Sequence, residues 1–293
     1  MPTDGIRTVF YVLESTETEL ERDVMQENYA GEVMYYTFPE FEQYKEIVHG
    51  FSSREGGVSK GFYATMNMGV RTDDARENIL ENYEIFCETL GVDVRNVVIA
   101  PLSHEANIRN VTMKDAGSGL LRDYCCENTD GFLTNEPEVV LTATFADCVP
   151  IFYYDPRQKV VGIAHSGWRG TVKEIAAVMI KRMCEDYGSN PKDILVGIGP
   201  SIGMCCFEVD EDVFYEFADL TYLEDGWYFE KEDGKFEIDL WRVIWATLTN
   251  VGVPEENISV SGICTCCNHS KLFSHRATKG RRGTMAGMIM LRP

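Results

Sequence analysis

The sequence predicts a mixed α/β (α+β) fold, on three observations. Segments rich in β-branched and aromatic residues recur along most of the chain. Amphipathic helical stripes lie among them. In one place a strand, a capped helix and a second strand follow in order, as in a βαβ unit. Taking the elements in turn, residues 1–40 suggest a pair of short strands around a polar segment. Glu77–Leu90 predicts a helix, with Ile79, Tyr83, Phe86 and Leu90 on one face and Gly91 to end it. Strands are expected at Asn96–Ala100, Val139–Phe145, Val149–Tyr154 and Lys159–Ala164. A helix follows over Thr171–Tyr187, opened by a capping-box pattern (Thr171 and Glu174) and closed by Gly188. Strand Ile194–Ile198 completes the βαβ unit, and His165 stands where its first strand ends. Helix Asp239–Val251 and strands Ile258–Ile263 and Thr284–Leu291 finish the chain. No repeat or low-complexity linker divides its 293 residues, so one domain is expected over 1–293.

Hydrophobic residues make up 44% and charged residues 25%, the balance of a globular chain with a large core. The formal net charge of −20 argues against a nucleic-acid surface, which needs clustered Lys and Arg. A single basic pocket for a small anion stays compatible with it. No run reaches the roughly 18 apolar residues of a membrane span. The first residues lack the basic-then-apolar pattern of an export signal, so a cytoplasmic protein is expected. Its ten cysteines should then be thiols or ligands rather than disulfides.

There are five histidines. His49, ahead of Gly50-Phe51, looks structural. His104 in PLSHEANI and His165 in GIAHSGWRGT are left as the chemically interesting pair, with Cys148 between two apolar strands in TATFADCVPIFYYD. Two imidazoles and a thiolate suit Zn²⁺ with an open fourth position. The spacing matches no short metal motif, and from spacing alone a buried free cysteine with two hydrogen-bonded histidines is the more economical reading. Asp147 must be solvated or paired if buried. A rival cluster lies late in the chain, where Cys264, Cys266, Cys267, His269 and His275 could form a zinc knot. Cys205-Cys206 matches no recognised ligand pair.

Taken together, HGFSSREGGVSKGFYATMNMG (49–69), His104, DGFLTNEPEVVLTATFADCVPIFYYDP (130–156), GIAHSGWRGT (162–171), IGPSIGMCCFEV (198–209) and the late CT…FSHR with GRRGTMAG resemble the YfiH-like, laccase-domain family. Its members have been labelled polyphenol oxidases and are better described as purine nucleoside phosphorylase and adenosine deaminase enzymes. The resemblance covers residues 48–293 and leaves 1–47 as a variable part. It implies a layered sandwich of mixed sheets flanked by helices, with a centre resembling that of a cysteine hydrolase. It implies zinc, with copper as an alternative, on His104, Cys148 and His165. Ser53, Arg54 and Asn67 correspond to a substrate-side loop, and Arg169 is a further pocket candidate. The expected substrates are a purine nucleoside and phosphate, with Arg54 or Arg169 as the phosphate clamp and Asp147 as a candidate proton shuttle. Departures occur at Leu102-Ser103-His104-Glu105, at His275 and at the extra Cys266 and Cys267, which bear on substrate preference. Two other readings belong to the same resemblance: an amidase editing cell-wall precursors on a nucleotide-linked muramic acid, and a copper polyphenol oxidase. A multicopper oxidase consumes many imidazoles in His-x-His pairs, and this sequence has none.

Overall fold

The computed structural model describes residues 25–293, which open on a hairpin of β1 (Gln26–Ala30) and β2 (Val33–Thr37). Its two-residue loop begins at Gly31 with φ +62°, left-handed backbone of the kind primed hairpin turns need. After it come α1 (Pro39–Glu42), β3 (Ile47–Ser52), α2 (Arg76–Leu90), β4 (Val97–Ile99) and β5 (Ile108–Asn110). The middle of the chain supplies β6 (Gly131–Thr134), β7 (Val140–Phe145), β8 (Val149–Asp155), β9 (Val160–Ser166), α3 (Trp168–Val172) and α4 (Ile175–Tyr187). Then follow β10 (Leu195–Ile198), β11 (Glu208–Val209), α5 (Glu211–Ala218), β12 (Tyr228–Glu230) and β13 (Phe236–Ile238). The remainder is α6 (Leu240–Asn250), β14 (Ile258–Val260), α7 (His275–Thr278) and β15 (Met285–Leu291).

The strands form two six-stranded sheets, β1-β2-β3-β15-β7-β4 and β14-β10-β8-β9-β6-β5, and a small one, β11-β13-β12. Side chains alternate across each strand, so one face of each large sheet is turned toward the other. Phe152 and Tyr154 of β8 and Ile163 of β9 meet Leu141 and Phe145 of β7 and Ile289 of β15 between the sheets. On the outer face of one sheet, Ile151, Tyr153 and Ala164 pack with Met179 and Met183 of α4 and Ile244 and Leu248 of α6. On the outer face of the other, Val140, Met288 and Met290 pack with Ile79, Tyr83 and Phe86 of α2. The result is four layers in the order α-β-β-α, the layered mixed sandwich that the family resemblance implies. Burial on both faces explains why β8, β9 and β15 show apolar runs instead of a polar alternation.

Two expectations need correction. The helix over Thr171–Tyr187 is two helices, and the capping box does not form. Glu174 has φ +54° and its side chain caps nothing, while the Thr171 hydroxyl contacts Ser166 Oγ at 2.8 Å and Gly167 O at 3.1 Å. A left-handed residue interrupts the backbone ladder there, so the chain turns before α4 starts. The strands of the βαβ unit are not neighbours either: β8 lies between β9 and β10 and is antiparallel to both. The crossover helix therefore passes over an occupied position in the sheet. The short strands expected early in the chain fall at 26–37; residues 1–24 lie outside the described residues.

Candidate metal centre

Three separate pieces of chain converge at one end of the inter-sheet core. β9 delivers His165, 3% exposed, with its ring 5.5 Å from that of Phe145. The turn from β7 to β8 delivers Asp147 and Cys148. The loop before β5 delivers His104, which is exposed. Ligand atoms of His104, Cys148 and His165 all lie within 4.8 Å of one another, and the two imidazole centroids are 4.9 Å apart.

His104 and Asp147 both take left-handed backbone, at φ +61° and +85°, which a non-glycine residue keeps only where surrounding bonds enforce it. For His104 the enforcing group is Asp130, whose carboxylate is fully buried. Its Oδ1 accepts the N–H groups of Ser103 (2.9 Å) and His104 (2.8 Å), and its Oδ2 accepts the N–H of Glu105 (2.9 Å) and the hydroxyl of Ser103 (2.6 Å). Three consecutive amides thus wrap one anion, a backbone nest. The Asp130 carbonyl also accepts the His165 N–H at 2.7 Å, and its carboxylate lies 3.9 Å from His165 Nδ1. One residue therefore orients two imidazoles. For Asp147 the enforcing bonds are to its own carboxylate, which accepts the Thr265 hydroxyl and the Arg276 N–H, each at 2.6 Å. Its carbonyl accepts the Ile202 N–H at 2.9 Å.

Three observations fit a metal ion here. His165 Nδ1 is buried with no hydrogen-bond partner, a costly arrangement for a polar atom. Burial, with His104 adding to it, pushes the His165 pKa down to about 3, so the ring is neutral and a competent donor near pH 7. Gly167 leaves open the space beside the donors: a Cβ there would lie 3.0 Å from His104 Nδ1 and 3.1 Å from Cys148 Sγ. Burial first, and then Asp147, pushes the Cys148 thiol up to about 12, so without a cation it is un-ionised and a poor nucleophile. A set of two nitrogens and one sulfur suits Zn²⁺.

The other sequence candidates lie elsewhere. Arg54 spends Nε and Nη2 on Ala64 O (3.0 and 2.9 Å) and Nη1 on His269 O (2.8 Å), and it stacks on Phe273. With Glu32, Glu55, Gly57 and Thr65 it lines a cleft of about 460 Å³. The buried Ser53 hydroxyl accepts the Glu55 N–H at 3.0 Å. Asn67, also buried, donates to Thr72 Oγ1 and Asp74 Oδ2 and accepts from the N–H groups of Gly69 and Thr284. Arg169 is exposed and stacks on Trp168, 4.2 Å from the ring centroid. His49 accepts the Phe38 N–H at 2.7 Å in the core, the structural position expected of it.

Two residues at the site escaped the sequence reading. Asp130 is one; nothing local marks it, because its partners lie 25 to 27 residues earlier. Arg282 is the other. Its charge acts on Cys148 and Asp147, its Nη1 donates to Gly283 O at 3.4 Å, its Nη2 lies 3.5 Å from His275 Nδ1, and its buried Nε has no partner. Its position in GRRGT just before β15 was the available signal.

A family model described as Multi-copper polyphenol oxidoreductase laccase matches residues 48–292. The chain is 38% identical over 247 residues to purine nucleoside phosphorylase YlmD of Bacillus subtilis, covering 84% of this chain and 88% of that protein. It is 31% identical over 258 residues to a purine nucleoside phosphorylase of Bacteroides thetaiotaomicron, covering 87% and 95%. The crystal structure of YlmD from Geobacillus stearothermophilus superposes with a TM-score of 0.85 at 34% identity, over 92% of this chain and all of that one. The Bacillus licheniformis protein YfiH gives the same TM-score at 35% identity, over 90% and 97%.

Proposed function

This chain belongs to the multi-copper polyphenol oxidoreductase laccase family, the YfiH-like proteins, and from that premise we propose that it is a purine nucleoside phosphorylase working at the His104/Cys148/His165 centre. The observation that carries this reading is Arg282, a partly buried guanidinium whose Nε has no partner, beside a preorganised three-donor site. Both features serve phosphorolysis: a cation holds phosphate, and a polarising group activates the substrate.

In the reaction, a phosphate oxygen forms a bond to C1′ of the ribose as the bond from C1′ to the purine nitrogen breaks. The base leaves with the bonding pair and takes up a proton. Arg282 holds the phosphate by charge-assisted hydrogen bonds. Arg54, with three N–H groups committed to carbonyls, and Arg169, stacked on Trp168, have secondary parts in substrate binding. Ser53 and Asn67 act through the backbone: Ser53 holds the Glu55 N–H beside Arg54, and Asn67 braces Thr284, two residues from Arg282. Zn²⁺ on the three donors would supply a Lewis acid that polarises substrate and acidifies water. Asp130 keeps His104 and His165 in place. Asp147, with both carboxylate oxygens engaged, positions the Cys148 turn in addition to any proton it relays. Adenosine deamination, in which water replaces the amine at the purine ring and ammonia leaves, is a second activity of the same pocket.

The laccase label implies a trinuclear copper cluster. Five histidines, with His49 committed to the core, cannot supply one. A multicopper oxidase is thereby set aside, and Zn²⁺ is the ion we assign to the three donors, with an open fourth position. The purified protein is to be incubated with adenosine or inosine, with and without phosphate, and the products separated by chromatography. Free base and ribose 1-phosphate formed only with phosphate support the assignment. Base release that ignores phosphate, or none, defeats it; inosine from adenosine without phosphate reports the deaminase.

A further inference from the structure

The late cysteines assemble differently from the zinc knot that Cys264, Cys266, Cys267, His269 and His275 could form by sequence. The sulfurs of Cys205, Cys206, Cys264 and Cys267 lie within 4.8 Å of one another, although the two pairs are some 60 residues apart in sequence. Cys206 Sγ is 3.5 Å and Cys205 Sγ 3.6 Å from Cys267 Sγ. His269 instead turns Nδ1 to the Cys266 carbonyl at 3.0 Å, and His275 lies beside Arg282. The adjacent pair Cys205-Cys206, which matches no ligand motif in the sequence, thus meets its complement only in the fold.

We propose that these four cysteines form a second metal site, a structural tetrathiolate centre for one Zn²⁺, separate from the His104/Cys148/His165 site. A tetrahedral ion with Zn–S bonds of about 2.3 Å sets its sulfurs about 3.8 Å apart, and the observed separations approach that edge length. Thiolates bound to different irons of a cluster stand farther apart, so the spacing favours a mononuclear ion. The surroundings are those of a ligand set: the Gly203 N–H points at Cys264 Sγ, 3.2 Å away. Gly203 packs closely here, since a Cβ would come 3.1 Å from the Trp241 ring and 3.2 Å from Cys264 Cβ. An ion there would clamp together the loops that leave β10 and β14, which already share the bonds Ser201 N to Ile263 O and Thr265 N to Ser201 O.

The test is metal content per chain in the purified full-length protein, by elemental analysis and native mass spectrometry. Wild type, His104→Ala and the double variant Cys205→Ser/Cys267→Ser are compared. Two zinc ions are expected in the wild type and one in each variant. Cobalt-exchanged His104→Ala should keep a strong thiolate-to-cobalt charge-transfer band, and a chelator should lower its melting temperature. The His104→Ala measurements stand even if the double variant fails to fold. The proposal is overturned if His104→Ala holds no metal, if a folded double variant keeps the wild-type content, or if mass mapping finds these cysteines joined as disulfides. An iron–sulfur spectrum would overturn it as well. None of these outcomes depends on nucleoside chemistry.

Discussion

Replacing Asp130 by Asn probes the candidate centre without touching a donor atom. The amide keeps the volume of the carboxylate but carries one acceptor oxygen. Turned to serve the N–H groups of Ser103 and His104, it presents its NH₂ to the Glu105 N–H; turned the other way, it confronts two amides. At least one buried donor is left unsatisfied, at about 1–3 kcal/mol, and each retained bond loses its charge assistance, at about 1 kcal/mol. The sum is roughly 3–5 kcal/mol, a fall in melting temperature on the order of 10 °C for a chain of this size. The loss falls on the residue that holds His104 at positive φ, so metal affinity should drop roughly 10- to 100-fold, as when other groups that orient ligands are removed. Thermal unfolding and competition with a chromogenic chelator measure the two effects. If Asp130→Asn binds metal like the wild type and melts within 2 °C of it (about 1 kcal/mol), Asp130 does not organise this site.

Gly167→Ala should keep the fold, because Gly167 has extended backbone with φ −72° that alanine adopts. Its methyl group crowds His104 Nδ1 and Cys148 Sγ, so metal affinity should fall at least about tenfold, since site geometry tolerates only about 0.2 Å of displacement; unchanged affinity in the same chelator assay refutes the cradle. Arg282→Ala should raise the KM for phosphate roughly 10- to 100-fold, the worth of a hydrogen bond to a charged group, with little change in the KM for nucleoside. Steady-state kinetics with each substrate varied separately would expose equal effects on both, which would rule out a phosphate role. His49 has its pKa lowered to about 3 by burial, against about 6.5 in an unfolded chain. Between those values the unfolded state binds more protons, so the stability it contributes is complete above pH 6.5 and drains away as pH falls. Urea unfolding at pH 7 and pH 5 should show His49→Gln losing about 2 kcal/mol less than wild type, and equal losses would refute this.

Helices and central strands were legible because burial imposes periodicity. Ile79, Tyr83 and Phe86 show the 3.6-residue stripe of α2, and β8, β9 and β15 stand out as apolar runs. The capping box failed because Thr171 had two competing partners, Ser166 and Gly167, that local sequence does not reveal. The insertion of β8 between β9 and β10 was hidden for a related reason: strand order is set by packing between sheets, not within a segment. Spacing alone left His104, Cys148 and His165 undecided, and the family resemblance singled them out. The fold then brings those three together, with Asp130, whose partners are backbone amides and leave no trace in side-chain patterns. Cys205-Cys206 gave no signal because its complement lies in another loop. Chemistry assembled by tertiary contact is the part a linear reading sees least.

β15 occupies the middle of its sheet, between β3 and β7. It is also the last strand in sequence order, and it pairs with segments far earlier in the chain. Until Met285–Leu291 is available, β1-β2-β3 and β7-β4 are two fragments with no hydrogen-bonding partner between them, and the inter-sheet core has no Met285 or Ile289 to close it. Joining these fragments into one sheet therefore depends on contacts between segments distant in sequence. Such long-range pairing is slow and leaves open sheet edges exposed in the meantime. A chain shortened by its final ten residues would lose its central strand and, with it, the connection that makes one sheet of two.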